Sequence, residues 1–188
     1  MKKRILALMI GVALSFPVAA ATSYTVDPRH TFPSFEINHM GFSIQRGRFN
    51  QTSGKILLDP ASATGSIHIA IETASISTGL AELEKHLRSK AFLDAKRYPR
   101  ITFVADKPSF NNGQLIGADG VLTLHGVSKP VHLTVDHFYC GMNLINLKNT
   151  CGANATTTIR RSDFGVDKYA PKLADDVAIA IQIEATQD

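Results

Sequence analysis

Seven histidines and two cysteines are the residues of this sequence most readily turned to chemistry. His30, His39, His68, His86, His125, His132 and His137 stand singly, with no His-x-His pair and no pair at helical spacing. Scatter of that kind does not assemble the three or four ligands a zinc site needs, so no metal is expected. There is no Gly-x-Ser-x-Gly elbow, no Gly-rich phosphate loop and no His-Glu-x-x-His, and no carboxylate pair stands out. The expectation is therefore a protein that is not an enzyme, with no catalytic residues and no cofactor. Cys140 and Cys151 lack the Cys-x-x-Cys spacing of a redox pair, which leaves a structural disulfide.

The N-terminus says where such a bridge would form. Met1-Lys2-Lys3-Arg4 precedes an apolar run from Ile5 to Val18 and then Ala19-Ala20-Ala21, the charged, apolar and small-residue order of a secretory signal peptide. The run is shorter than the ~20 residues of a bilayer span. Residues 1–21 are read as a cleaved leader and 22–188 as one domain, exported to an oxidising compartment where paired thiols close. The bridge would staple the neck of an Asn- and Gly-rich hairpin loop, Gly141 to Thr150, and contribute roughly 2 to 3 kcal/mol. The chain carries a net +4, and removing the three basic residues of the leader leaves +1. A nearly neutral domain has no field with which to condense on phosphate backbones, which argues against a nucleic-acid partner.

The elements that must position any site are strands. Val177, Ile179, Ile181 and Ile183 alternate with Ala178, Ala180, Gln182 and Glu184, and the same period of two runs through 67–71, 101–104 and 131–135. Shorter segments, Tyr24 to Val26, Phe32 to Asn38, Phe49 to Leu58, Gln114 to Leu124 and Ala153 to Arg160, are bounded by Gly, Pro, Asn or Asp. About eight strands without alternating helices predict an all-β antiparallel sandwich or barrel. One segment differs: Leu80, Leu83, Leu87 and Ala91 recur at three and four behind Ser77 or Thr78 as N-cap, predicting a single helix over Gly79 to Leu93. Its leucine face would lid one mouth of the barrel. Small residues such as Ala70, Ala178 and Ala180 would leave room for a cavity inside.

In the segment Phe35 to Phe42, alternation puts Phe35, Ile37 and His39 on one face, so that His39 closes an apolar row at a cavity rim or bonds a loop carbonyl beside Gly41. Lys85, His86 and Arg88 on the helix, and Arg160 and Arg161 at a strand end, form either a solvated face or an anion-binding rim.

Longer motifs carry a resemblance. Tyr24-x-Val26-Asp27-Pro28-x-His30, Phe35-x-Ile37-x-His39-x-Gly41, Gly47-x-Phe49, Lys85-His86-Leu87-Arg88-Ser89-x-x-Phe92-Leu93, Tyr98-Pro99-x-Ile101-Thr102-Phe103, the run Gly120 to Val131 and Arg161-Ser162-Asp163-Phe164-Gly165 together resemble the YceI family over nearly all of 22–188. The resemblance implies an extended lipocalin-like antiparallel barrel of about eight strands in the periplasm, binding a long polyisoprenoid lipid such as an isoprenoid quinone or its precursor. It also implies homodimers in some members, and action beside cytochrome b561-type membrane proteins, to which quinone would be presented or from which it would be scavenged. The tunnel would be lined by Phe35, Ile37, Phe42, Ile69, Leu87, Phe103 and Ile181, and the head group held by His39, Arg46, Arg88 and Arg161. The cysteine pair and its Asn-rich loop fall outside the motif set.

Overall fold

A computed structural model describes residues 21–188. The expected leader, 1–21, lies all but its last residue outside the described residues. Eleven strands build one antiparallel sheet that closes on itself. Three pairs of them run end to end: β1 (Thr22–Val26) with β2 (Phe32–His39), β3 (Ser43–Phe49) with β4 (Thr52–Asp59), and β5 (Thr64–Glu72) with β6 (Ile76–Ser77). With β7 (Arg100–Asn111), β8 (Gln114–Leu124), β9 (Val127–Asn143), β10 (Lys148–Arg160) and β11 (Asp176–Gln187) they make the eight staves of a closed barrel. The long last strand seals it. Its N-terminal part pairs with β2, from Val177↔Ile37 to Gln182↔Phe32, and its C-terminal part with β1, from Ala185↔Val26 to Gln187↔Tyr24.

Each interruption in a stave has a local cause. Between β1 and β2, the Asp27 carboxylate accepts from the Arg29 backbone N–H at 2.9 Å and meets His30 Nδ1 at 2.9 Å, fixing the turn that Pro28 begins. Burial pushes that carboxyl up, but hydrogen bonds from Arg29 and His30 outweigh it and bring it from 3.8 down to about 2. Thr31, wholly buried, substitutes for the missing ladder: its hydroxyl donates to the Glu184 carbonyl and accepts from the Glu184 N–H. The expected strand Phe49 to Leu58 is broken at Asn50 and Gln51, whose N–H groups turn to the Ser75 carbonyl and hydroxyl.

The helix is shorter than the periodicity predicts. α1 spans Ala81–Leu87, its N-cap is Leu80, and neither Ser77 nor Thr78 caps it. Glu84 satisfies the entry instead, accepting from the Thr78 and Gly79 N–H groups at 2.8 and 3.2 Å, and those bonds hold its carboxyl below the usual range. At the other end the Ser89 hydroxyl takes the His86 carbonyl, and tight turns carry the chain on to Tyr98. Among the described strands β6 makes no pairing with β7, and the segment from α1 to Pro99 occupies that gap at one mouth.

The cysteine segment is sheet rather than loop. Cys140 and Cys151 face each other in register and are disulfide-bonded, with Cα atoms 4.0 Å apart. The ladder continues past them to Asn143↔Lys148, so the turn contains only Leu144 to Leu147. One bulge in β9 sets which side chains enter the barrel. Pairing steps from Ala155↔Val135 to Asn154↔His137, leaving Asp136 extra. A single added residue reverses the parity, so the inward series Val131, Leu133 and Val135 resumes at Phe138.

Candidate functional site

Inward-facing residues of every stave surround one cavity of about 560 Å³. Ile56 and Leu58 come from β4, Ile67, Ile69 and Ile71 from β5, Ile101 and Phe103 from β7, Leu122 and Leu124 from β8, and Val177, Ile179, Ile181 and Ile183 from β11. Almost all the exposed lining is carbon. The room comes from small residues, though not from those the alternation suggests: Ala178 and Ala180 are exposed and Ala70 is absent from the lining, while Ala118, Ala153, Ala155 and Ala185 face in. Gly47 widens the wall further, because a Cβ there would lie 2.5 Å from the Phe35 ring that crosses it.

Polar side chains gather toward the mouth under α1. His39, Gln45, Arg46, Thr78, His86 and Arg161 reach the lining there, beside Leu83 and Leu87 of the helix. A second flap meets the helix over this mouth. It is the 161–175 segment, which contributes Val166, Tyr169 and Leu173, and its Tyr169 ring stands 6.2 Å from Phe92, itself edge-on to His86 at 4.8 Å.

Of the expected tunnel residues, Phe35, Ile37, Ile69, Leu87, Phe103 and Ile181 line the cavity. Phe42 does not. It sits on the β2–β3 turn, 84% exposed, because Met40 and Gly41 adopt positive φ and carry the chain out of the alternating row. The four head-group candidates separate. His39 and Arg46 stand at the mouth, with Arg46 Nε 2.7 Å from Glu36. Arg88 is off the lining: its Nη1 donates to the Ala74 and Ile76 carbonyls, tying the helix to the barrel wall.

Arg161 touches the cavity but its donors are committed elsewhere. Only 5% exposed, it donates to the carbonyls of Ala174 (2.8 Å), Val166 (2.6 Å), Lys168 (3.0 Å) and Leu173 (3.0 Å). Burial draws the guanidinium below its ordinary value, opposed by Asp175 and Asp167. Asp175 closes the flap's base, taking the Ser162 hydroxyl at 2.6 Å and N–H at 2.9 Å, which lowers its own carboxyl. Arg161 is thus a brace for the flap.

The residue-by-residue reading missed Thr52. Its side chain is buried, lines the cavity, and has no hydrogen-bond partner for its hydroxyl among the described residues. The signal was a polar residue in the inward register of Thr52, Gly54, Ile56 and Leu58. It offers an unpartnered donor and acceptor inside a mostly apolar tube. No group of three or more His, Cys, Asp and Glu among the described residues is arranged to hold a metal ion.

Comparison with known proteins agrees with this architecture. The YceI-like domain family matches residues 24–185. An UPF0312 protein of Vibrio cholerae serotype O1 is 36% identical over 174 residues, covering 88% of this chain and 89% of its own length. One from Pseudomonas savastanoi is 35% identical, with 91% of each chain covered. Among solved structures, BcnA of Burkholderia cenocepacia aligns at TM-score 0.72 and 28% identity over 86% of this chain and 99% of its own. A polyisoprenoid-binding domain from Saccharophagus degradans aligns at TM-score 0.63 and 15% identity over 89% of this chain and 99% of its own, a likeness of fold.

Proposed function

The chain belongs to the YceI-like family, and from that premise we propose that it is a periplasmic, non-enzymatic carrier of long-chain polyisoprenoid lipids, such as isoprenoid quinones or their precursors. The observation that carries the reading is an apolar tube of about 560 Å³ whose lining Arg and His side chains, His39, Arg46, His86 and Arg161, all stand at one mouth. That distribution suits a ligand with a long hydrocarbon tail and one small polar head. A prenyl tail burying on the order of 600 Å² would gain ~15 kcal/mol at ~25 cal/mol per Å², before ordering costs remove much of it.

The solved Saccharophagus degradans domain of the same fold, described as polyisoprenoid-binding, supports the ligand class. His39, Gln45 and Arg46 are the groups offered to the head at the mouth, and Thr52 offers a hydroxyl deeper in. The experiment is native mass spectrometry with organic extraction on protein purified from its own periplasm. A discrete added mass that extracts as a prenylated quinone or polyprenol is expected. Protein that is empty and refuses added prenyl lipids would remove the reading.

A further inference from the structure

The end of the barrel opposite the helical lid carries a feature unrelated to the lining. Beyond the Cys140–Cys151 bridge the β9–β10 hairpin projects as a narrow tip in which Leu144, Ile145 and Leu147 are 83%, 95% and 73% exposed. Met142 and Tyr139, behind them on the hairpin, are also exposed. A soluble surface gains nothing by holding consecutive large aliphatic side chains in water, and such patches mark interaction sites.

We propose that this tip is a docking surface for a lipid bilayer, with Leu144, Ile145 and Leu147 entering the headgroup and acyl boundary. Three observations favour lipid over a protein partner. Leu144, Ile145 and Leu147 line neither the barrel cavity nor the shallow groove beside Tyr139 and Met142, so they stand out as free side chains, which a fluid phase accommodates without a complementary shape. Three of its N–H groups are satisfied internally: that of Leu147 donates to the Asn143 carbonyl, that of Ile145 to Asn143 Oδ1, and that of Lys148 to Asn146 Oδ1, which reduces the main-chain donors that must be stripped of water unpaired. Charge is compatible as well, since no Asp or Glu occurs between Asp136 and Asp163 while Lys148 flanks the tip and Tyr139 lies at its base, the residue types that settle at a membrane interface. The disulfide holds the two strands together where they leave the barrel.

This inference does not depend on what the cavity holds. The chain contains no tryptophan, so Ile145→Trp places a single reporter at the tip. With phosphatidylethanolamine–phosphatidylglycerol vesicles its emission is expected to shift to the blue and to be quenched by lipid-attached quenchers. In the tryptophan-free chain, Leu144→Ser with Ile145→Ser is expected to lower the vesicle-bound to free ratio at least about tenfold, whereas Val121→Ser on the barrel wall leaves it unchanged. All proteins carry the N-terminus found on the exported chain. Unchanged emission with vesicles overturns the proposal. So does a blue shift that appears without vesicles and grows with protein concentration, because a second copy then covers the tip. Prenyl-lipid loading from detergent solution reads the cavity alone, so failure of either reading shows in its own assay.

Discussion

At the lidded mouth, closure relies on polar bracing: Arg161 donates to four carbonyls of the 161–175 flap, Arg88 ties α1 to the wall, and Phe92 meets Tyr169 between them. At the opposite end the backbone ladder simply runs on, β9 and β10 extend past the barrel, and a covalent bond fastens them. The first arrangement can open without breaking a sheet, while the second cannot. The contrast makes the helical mouth the end at which the cavity can open, and leaves the stapled end as a rigid projection.

Replacing Arg161 by Met should break the braced end outright. The flap loses its central donor and four carbonyls lose their partner, so about 3 kcal/mol of stability should disappear in a denaturant titration. An unchanged midpoint would mean that the flap stands without its brace. The stapled end is tested by Cys140→Ser with Cys151→Ser, expected to cost about 2 to 3 kcal/mol by relaxing the unfolded chain, with the amide protection of the lidded mouth unchanged.

Between the two ends, Ala155→Phe should fill the tube without disturbing either closure. Prenyl-lipid loading measured by extraction should fall at least about tenfold while stability moves by no more than about 1 kcal/mol. The smallest effect concerns Asp27 in the break between β1 and β2. Because its carboxyl is lowered in the folded state, its contribution is present above the ordinary 3.8 and is lost as pH falls toward about 2. Asp27→Ala should therefore be about 1 kcal/mol less stable than the natural chain at neutral pH, and the gap should close on acidification.

The strand alternation was legible because period two maps directly onto a wall with one buried face, and most of the lining followed from it. Phe42 misled because a turn with two positive-φ residues ends the row, which side-chain pattern alone does not reveal. Arg88 and Arg161 read as head-group candidates because charge is visible in a sequence while its partners are not, and both are occupied by backbone carbonyls of the loops beside them in the chain, whose folding back the side-chain pattern does not reveal. Several conspicuous motif residues serve the frame. Tyr98, His125, Gly126 and Phe164 come from three motifs and meet at one corner: the Tyr98 and His125 rings lie 4.6 Å apart, His125 Nδ1 lies 3.2 Å from the Phe164 carbonyl oxygen, and a Cβ on Gly126, at φ 76°, would strike the Tyr98 ring at 2.4 Å.

The unpaired gap between β6 and β7 gives the lid a kinetic character of its own. No ladder hydrogen bond joins those strands, so displacing the segment from α1 to Pro99 leaves most of the barrel's backbone pairing intact. Its opening is then a local excursion, decoupled from global unfolding. Amide exchange should report this directly, with residues 81–93 trading protons while those of β9 and β10 stay protected. A barrel of this kind can be thermally robust and still open its cavity at one mouth.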